Sequence, residues 1–195
     1  ERLGQYDEED CLKTKITRYR VHVAAELLYA TGLRISEAAN LRVEDIDFNR
    51  GTLTVSEGKG GRTRTAWLND YAKDILQLYV EQMRELVFNE WNERNGTLFG
   101  VRWQSFDKMV NKVLNKAAKG LGFPGFTAHR FRHAVGYHLL RAGCNIRYIQ
   151  EILGHKLLRN TEIYTKVDKE NLREVLDTCH PRQFRSIHDE ETDNT

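Results

Sequence analysis

The segment TAHRFRHAVGYHLL (127–140) holds the densest group of side chains able to do chemistry. On a helix, His129 and Arg132 are three residues apart and share a face close to its N-terminus. Free backbone N–H groups and the helix dipole already favour an anion there. His129 and His133 also have the four-residue spacing of helical zinc ligands. The usual metalloprotease pattern places a glutamate directly after the first histidine, whereas Arg130 stands here and Arg132 follows. Two guanidinium groups beside a cation oppose it electrostatically, so the segment fits phosphate and not zinc.

Four further residues are weak signals when taken singly. Arg34, in ATGLRISEAANL, reads either as the ion-pair partner of Glu37 at i+3 or as a group that grips a substrate anion. Lys59 sits in Gly58-Lys59-Gly60-Gly61, either a solvated turn lysine or a tip that glycines let approach a ligand. His155 directly follows Gly154 in EILGH. Tyr164, in TEIYTKV, reads alone as an aromatic at the edge of a core. The order Arg34, Lys59, His129, Arg132, His155, Tyr164 carries more than any member of it.

The elements expected to position these residues are mostly helices. Val21, Ala24, Leu27 and Leu28 recur at helical spacing from about Arg18 to Thr31, and Gly32 stops that helix. A short helix follows from about Ser36 to Leu41. GTLTVSEG and RTRTAWL flank the glycine-rich turn as a β-hairpin. Asn69 is placed to cap a long amphipathic helix to about Phe88, and TLFG reads as a brief extended piece. A basic helix is expected from Trp103 to Lys119, with Phe106, Val110, Val113 and Leu114 facing inward. Thr127, Asn145 and Asp168 are placed to cap three more, ending near Ala142, Leu153 and Thr178. The class is α+β: helix-dominated, with a small antiparallel sheet.

Composition narrows the partners. The chain has 195 residues, 40% hydrophobic and 30% charged, the balance of one soluble globular domain. It contains no apolar run long enough to span a membrane, and its acidic start is no signal peptide. Cys11, Cys144 and Cys179, odd in number and far apart in sequence, fit a reducing interior better than a disulfide framework. The formal charge of +2 conceals an uneven distribution. Residues 101–166 hold 12 bases against 3 acids, a local excess of +9 that calls for a polyanion. Lys108, Lys112, Lys116 and Lys119 recur at i+4, i+4 and i+3, forming one cationic stripe suited to DNA phosphates, or else a merely solvated face. Arg102, Gln104 and Arg130 are candidates for contacts to base edges.

With ATGLRISEAANLRVEDIDF, the GKGG tip, HRFRH and LGHKLLRNTEIYTKV in this order, the chain resembles the catalytic domain of the tyrosine recombinases, the phage integrase family. The motifs span residues 30–167, somewhat under three quarters of the chain. Phe131 stands where a leucine is common, and AVGYHLL replaces a run of smaller residues. The resemblance implies that Tyr164 attacks a DNA phosphodiester, forming a 3′-phosphotyrosyl bond and freeing a 5′-hydroxyl. Arg34, Arg132 and His155 then hold the non-bridging oxygens, His129 takes or orients the tyrosine proton, and Lys59 protonates the leaving oxygen. Glu37 is expected to orient Arg34 or pack its helix. Neither metal, other cofactor nor ATP is implied.

The implied partner is double-stranded DNA, bound by a homotetramer on paired sites, with the isolated domain expected to be monomeric. Residues 1–179 are expected to form the catalytic domain and 180–195 a polar tail, with the family's N-terminal core-binding domain missing from this stretch of chain. Leu172, Val175 and Leu176 offer an apolar face that docks either on a neighbouring protomer or in cis. A prokaryotic cytoplasmic setting, at the nucleoid when on DNA, is implied by resemblance alone. Type IB topoisomerases and telomere resolvases share the constellation, and site dependence with strand exchange separates them from recombinases. A non-catalytic helix-turn-helix module has no use for Lys59, His155 and Tyr164 in series.

Overall fold

The structure is a computed structural model that describes residues 12–56, 63–85, 96–154 and 178–180. Helix α1 (Leu12–Thr31) runs through its centre. The periodicity predicts one apolar face, yet Val21, Val23, Ala24, Leu27 and Leu28 are all buried, and so are Arg20, His22 and Glu26. A helix covered on every side does not need a single stripe. Arg20 is accommodated by donating from Nη1 to the Phe99 carbonyl at 3.2 Å. Gly32 ends α1 at φ 63° and allows a close approach. A Cβ there would lie 2.5 Å from Cδ2 of Leu153.

Helix α2 (Ile35–Asn40) follows, then a short 3-10 turn and a three-stranded antiparallel sheet in the order β1 (Ile46–Asp47), β2 (Thr52–Ser56), β3 (Thr63–Trp67). The register pairs Leu53 with Ala66 and Val55 with Arg64. Leu53, Val55 and Ala66 are buried, as the period-2 pattern requires. Lys59 belongs to the stretch joining β2 and β3, outside the described residues.

Asn69 caps α3 (Asp70–Leu78) as expected, its Oδ1 accepting from the Ala72 N–H at 2.9 Å. That helix continues through a π-turn (Tyr79–Met83), so its later residues are rotated relative to an unbroken α-helix. The expected extended piece at TLFG is instead a series of bends and turns. Leu98 and Phe99 are fully buried there, and the Leu98 N–H donates to the Leu41 carbonyl, so the segment plugs the core without forming a strand.

Helix α4 (Trp103–Gly120) buries Phe106, Val110 and Leu114, while Val113 packs half-buried beside them. Its Asn side chains, and not the Thr127 hydroxyl, serve the start of α5 (Ala128–Arg141). Oδ1 of Asn111 accepts from the Ala128 N–H at 2.8 Å, and Oδ1 of Asn115 accepts from Phe126 at 3.0 Å. The first bond satisfies a donor that the helix start leaves open, and the second ties down the residue before the cap. Helix α6 (Ile146–Leu153) is capped by Asn145 and ends at Gly154 in the left-handed region, φ 63°.

Residues 178–180 dock on the same chain. The buried His180 ring accepts from Nδ2 of Asn69 at 3.1 Å and donates from Nε2 to the Tyr29 carbonyl at 2.9 Å. Oδ1 of Asn69 is already the α3 cap acceptor, so its amide end must donate, which selects the Nε2–H tautomer of His180. Cys144 and Cys179 come together in this corner as free thiols. Burial, then the Cys179 neighbour, pushes the Cys144 thiol up to about 12. The expected helix from Asp168, with Leu172, Val175 and Leu176, lies outside the described residues. Among the described residues no helix is long and apolar enough to cross a membrane.

Candidate active site

The site forms where four elements meet: the turn from α1 to α2, strand β3, the first turns of α5, and the C-terminus of α6. A helix C-terminus leaves carbonyl oxygens without intrahelical partners and carries the negative end of the dipole. Two arginines from elsewhere supply the missing donors at α6. Arg132, on the first turns of α5, donates from Nη2 to the Leu153 carbonyl and from Nη1 to the Gly32 carbonyl at 2.7 Å. Arg34 reaches the Gly154 carbonyl from Nη2 at 3.4 Å. The chain is thereby tied together across separations of 100 and 120 residues.

Among the described residues, Glu37 is the single carboxylate in this cluster. Its Oε1 accepts from Nη1 of Arg34 at 2.9 Å and Nη1 of Arg64 at 3.0 Å. Its Oε2 accepts from the Arg34 backbone N–H at 2.8 Å and Nη2 of Arg64 at 2.9 Å. Four donors fill the roughly four lone-pair positions of a carboxylate. The expected i+3 ion pair therefore exists, and Glu37 has no acceptor capacity left for a substrate or metal. Its task is to hold arginines.

Among the described residues, three guanidinium groups facing one carboxylate leave two positive charges in excess. Burial and the neighbouring Arg34 and Arg64 charges lower Arg132 to about 10, opposed by Glu37, so it stays protonated at neutral pH. Each guanidinium has five N–H donors, and the bonds above use two side-chain donors on Arg34 and two on Arg132. Arg34 keeps 40% of its side chain exposed, so the cluster opens to solvent there. Such an arrangement is chemically suited to an oxyanion, which preorganised, charge-assisted hydrogen bonds could hold.

Burial raises the Glu37 carboxyl, but hydrogen bonds from Arg64 and Arg34 and the Arg64 charge outweigh it and bring it down to about 2. A group depressed on folding contributes stability that is present above its unfolded value, near 4.5, and lost as pH falls toward 2. Glu37→Gln is expected to flatten the pH dependence of unfolding between about pH 4.5 and 2, by about 3 kcal/mol across that window. Urea melts at stepped pH measure this directly. Parallel curves for the two proteins would contradict the assignment.

The remaining expected residues fall into three groups. His129 lies one turn before Arg132 on α5, exposed, its ring 4.5 Å from that of His133 in an edge-on arrangement. Among the described residues no group of three His, Cys, Asp or Glu side chains is placed to share a metal ion. Lys108, Lys112, Lys116 and Lys119 all project to solvent from α4, and Arg130 is exposed on α5. Lys59, His155 and Tyr164 lie outside the described residues, although Gly154 fixes the point from which His155 and Tyr164 follow in the chain.

Residues 1–171 match the sequence profile of the phage integrase family. The chain belongs to that family. A tyrosine recombinase XerC from Anoxybacillus flavithermus is 38% identical over 168 residues, which is 80% of this chain and 53% of that protein. The integrase of mycobacterium phage Brujita is similar in structure, with a TM-score of 0.60 and 28% identity, covering 93% of this chain and 62% of the other. The XerH site-specific recombinase bound to its difH substrate before cleavage gives a TM-score of 0.58 and 26% identity, over 87% of this chain and 48% of that one. The fold is thus the mostly helical one, with a small antiparallel sheet, of phage integrase family members. The chain spans about half the length of the curated relatives it matches.

Arg64 is the site residue that spacing did not reveal. Its partner Glu37 lies 27 residues away. A signal was nevertheless present. Once the hairpin pairs Val55 with Arg64, the alternation that points Val55 inward points Arg64 inward too, and an inward arginine requires an acid.

Proposed function

We propose that this chain is the catalytic domain of a site-specific DNA recombinase, which cleaves and rejoins strands through a bond between Tyr164 and a 3′-phosphate. The observation that carries the reading is the arginine cluster: Arg34 and Arg132, held by carbonyls and by Glu37, form a cationic site with donors to spare in a member of the phage integrase family.

The tyrosine oxygen attacks phosphorus, the bond to the 5′-oxygen breaks, and charge grows on the two non-bridging oxygens. Arg34 and Arg132 grip those oxygens, joined by His155. Such donors in a dry site are each worth about 3–4 kcal/mol of barrier. A free tyrosine has a pKa of about 10, so its proton must be taken as attack proceeds, and His129 is the group assigned to it. Lys59 gives a proton to the departing 5′-oxygen. The phosphotyrosyl ester keeps the energy of the broken bond, so a 5′-hydroxyl from another strand can reverse the step and exchange strands without ATP. The reaction is proposed to run without metal. DNA lies along the Lys108–Lys119 stripe and Arg130, and four protomers assemble on paired sites in the cytoplasm of a prokaryote.

The test is a denaturing gel of the protein with nicked suicide duplexes, drawn from a random pool enriched for binding, in the presence of EDTA. An adduct stable to denaturant and labelled on the 3′ side is expected. Binding without any adduct would overturn the catalytic reading.

A further inference from the structure

We propose that Arg64 is a positioning residue, holding the Arg34 guanidinium and the C-terminal end of α6 in one fixed arrangement through its bidentate grip on Glu37 and its contact with Gly154. The proposal rests on the strand-transfer reading above. Arg64 and Glu37 form an end-on bidentate pair, Nη1 and Nη2 making N–H···O bonds of 3.0 and 2.9 Å, with side chains only 16% and 8% exposed. Bidentate pairing fixes the orientation of the carboxylate as well as its distance. The same two oxygens hold Arg34 at both its backbone N–H and its Nη1, so the carboxylate orientation set by Arg64 sets the Arg34 guanidinium.

Arg64 also closes the other side of the site. A Cβ on Gly154 would lie 2.9 Å from its Nε and 3.0 Å from its Cζ, so the guanidinium lies flush against the backbone that ends α6. Gly154 accepts from Arg34 as well, and its φ of 63° is a conformation that suits glycine. Arg64 thus touches the carboxylate that aims Arg34 and the helix end on which Arg34 and Arg132 rest. As a purely stabilising device the arrangement is poor. A buried ion pair recovers little of its desolvation cost, and Nε of Arg64 is buried with no hydrogen-bond partner among the described residues.

Lysine is no substitute at this position, because a single ammonium cannot make two parallel bonds. The groups facing Glu37 are Arg34 at the start of α2, Arg64 on β3 and Arg132 on α5. Removing Arg64 deletes two of four bonds to the carboxylate and one of the two positive charges in contact with it. Glu37 then takes up a proton at higher pH, and Arg34 loses its fixed partner as it does.

The experiment compares single-turnover cleavage of the nicked duplexes by wild type, Arg64→Lys, Arg64→Gln, Glu37→Gln and the double variant Arg64→Gln/Glu37→Gln, from about pH 4.5 to 8. DNA affinity and thermal melting are measured alongside. Expected for both Arg64 variants is a cleavage rate at neutral pH lower by about 10- to 100-fold, with DNA affinity within about threefold. Arg64→Gln should also show an acid limb at higher pH than wild type, and the limb should vanish in the double variant. The double variant should cleave no more slowly than the slower single one, because both changes break one linkage. Additive losses, an unmoved acid limb, or wild-type rates in the folded Arg64→Lys protein would overturn the proposal while leaving the recombinase reading intact. No adduct from wild type itself would overturn both.

Discussion

Arg132→Lys is expected to slow single-turnover DNA cleavage by about 10²–10³-fold, while DNA affinity falls by no more than a few-fold. The expectation follows from geometry. Arg132 is 6% exposed, spends one Nη on Gly32 and the other on Leu153, and still has donors for an oxyanion. Lysine keeps the charge but presents one nitrogen, which cannot bridge two carbonyls and a phosphate oxygen together. Losing the bridge also costs stability, about 1–3 kcal/mol, so rates belong well below the melting temperature of the variant. A cleavage rate within threefold of wild type would remove Arg132 from the reaction.

Tyr164→Phe is expected to abolish the covalent DNA adduct completely, with binding and melting temperature unchanged. Phenylalanine keeps the ring and removes the one oxygen that can bond to phosphorus. A side chain without an oxygen cannot form the ester at all, so the effect is expected to exceed that of any arginine change, which only weakens stabilisation of charge. Adduct formation by the Phe variant, at any rate above background, would mean that another residue attacks.

Much of this organisation was legible in the sequence where the interaction is local. Arg34 and Glu37 are three residues apart, and the ion pair expected from that spacing is present at 2.9 Å. Asn69 and Asn145 cap their helices, and the lysines of α4 face solvent as their i+3 and i+4 spacing requires. The misses are tertiary. Thr127 occupies an N-cap position, but Asn111, brought in by packing of α4 on α5, supplies the acceptor. TLFG has β-favouring residues, but burial of Leu98 and Phe99 under α1 and α4 outweighs that preference. Arg64 pairs with an acid 27 residues away, a partnership fixed only when the hairpin register and the α1–α2 turn are both in place. Composition located the basic face, yet the cluster that concentrates charge is built from only three arginines and one glutamate, too few to register in a count.

The central claim is that one specified tyrosine becomes linked to a 3′-phosphate. Its most direct test is to digest the wild-type adduct with protease and map the DNA-linked peptide by mass spectrometry. The account predicts a single modified peptide containing TEIYTK, with the nucleotide on Tyr164 joined through its 3′-phosphate. A nucleotide on any other residue, or a link through a 5′-phosphate, would contradict it.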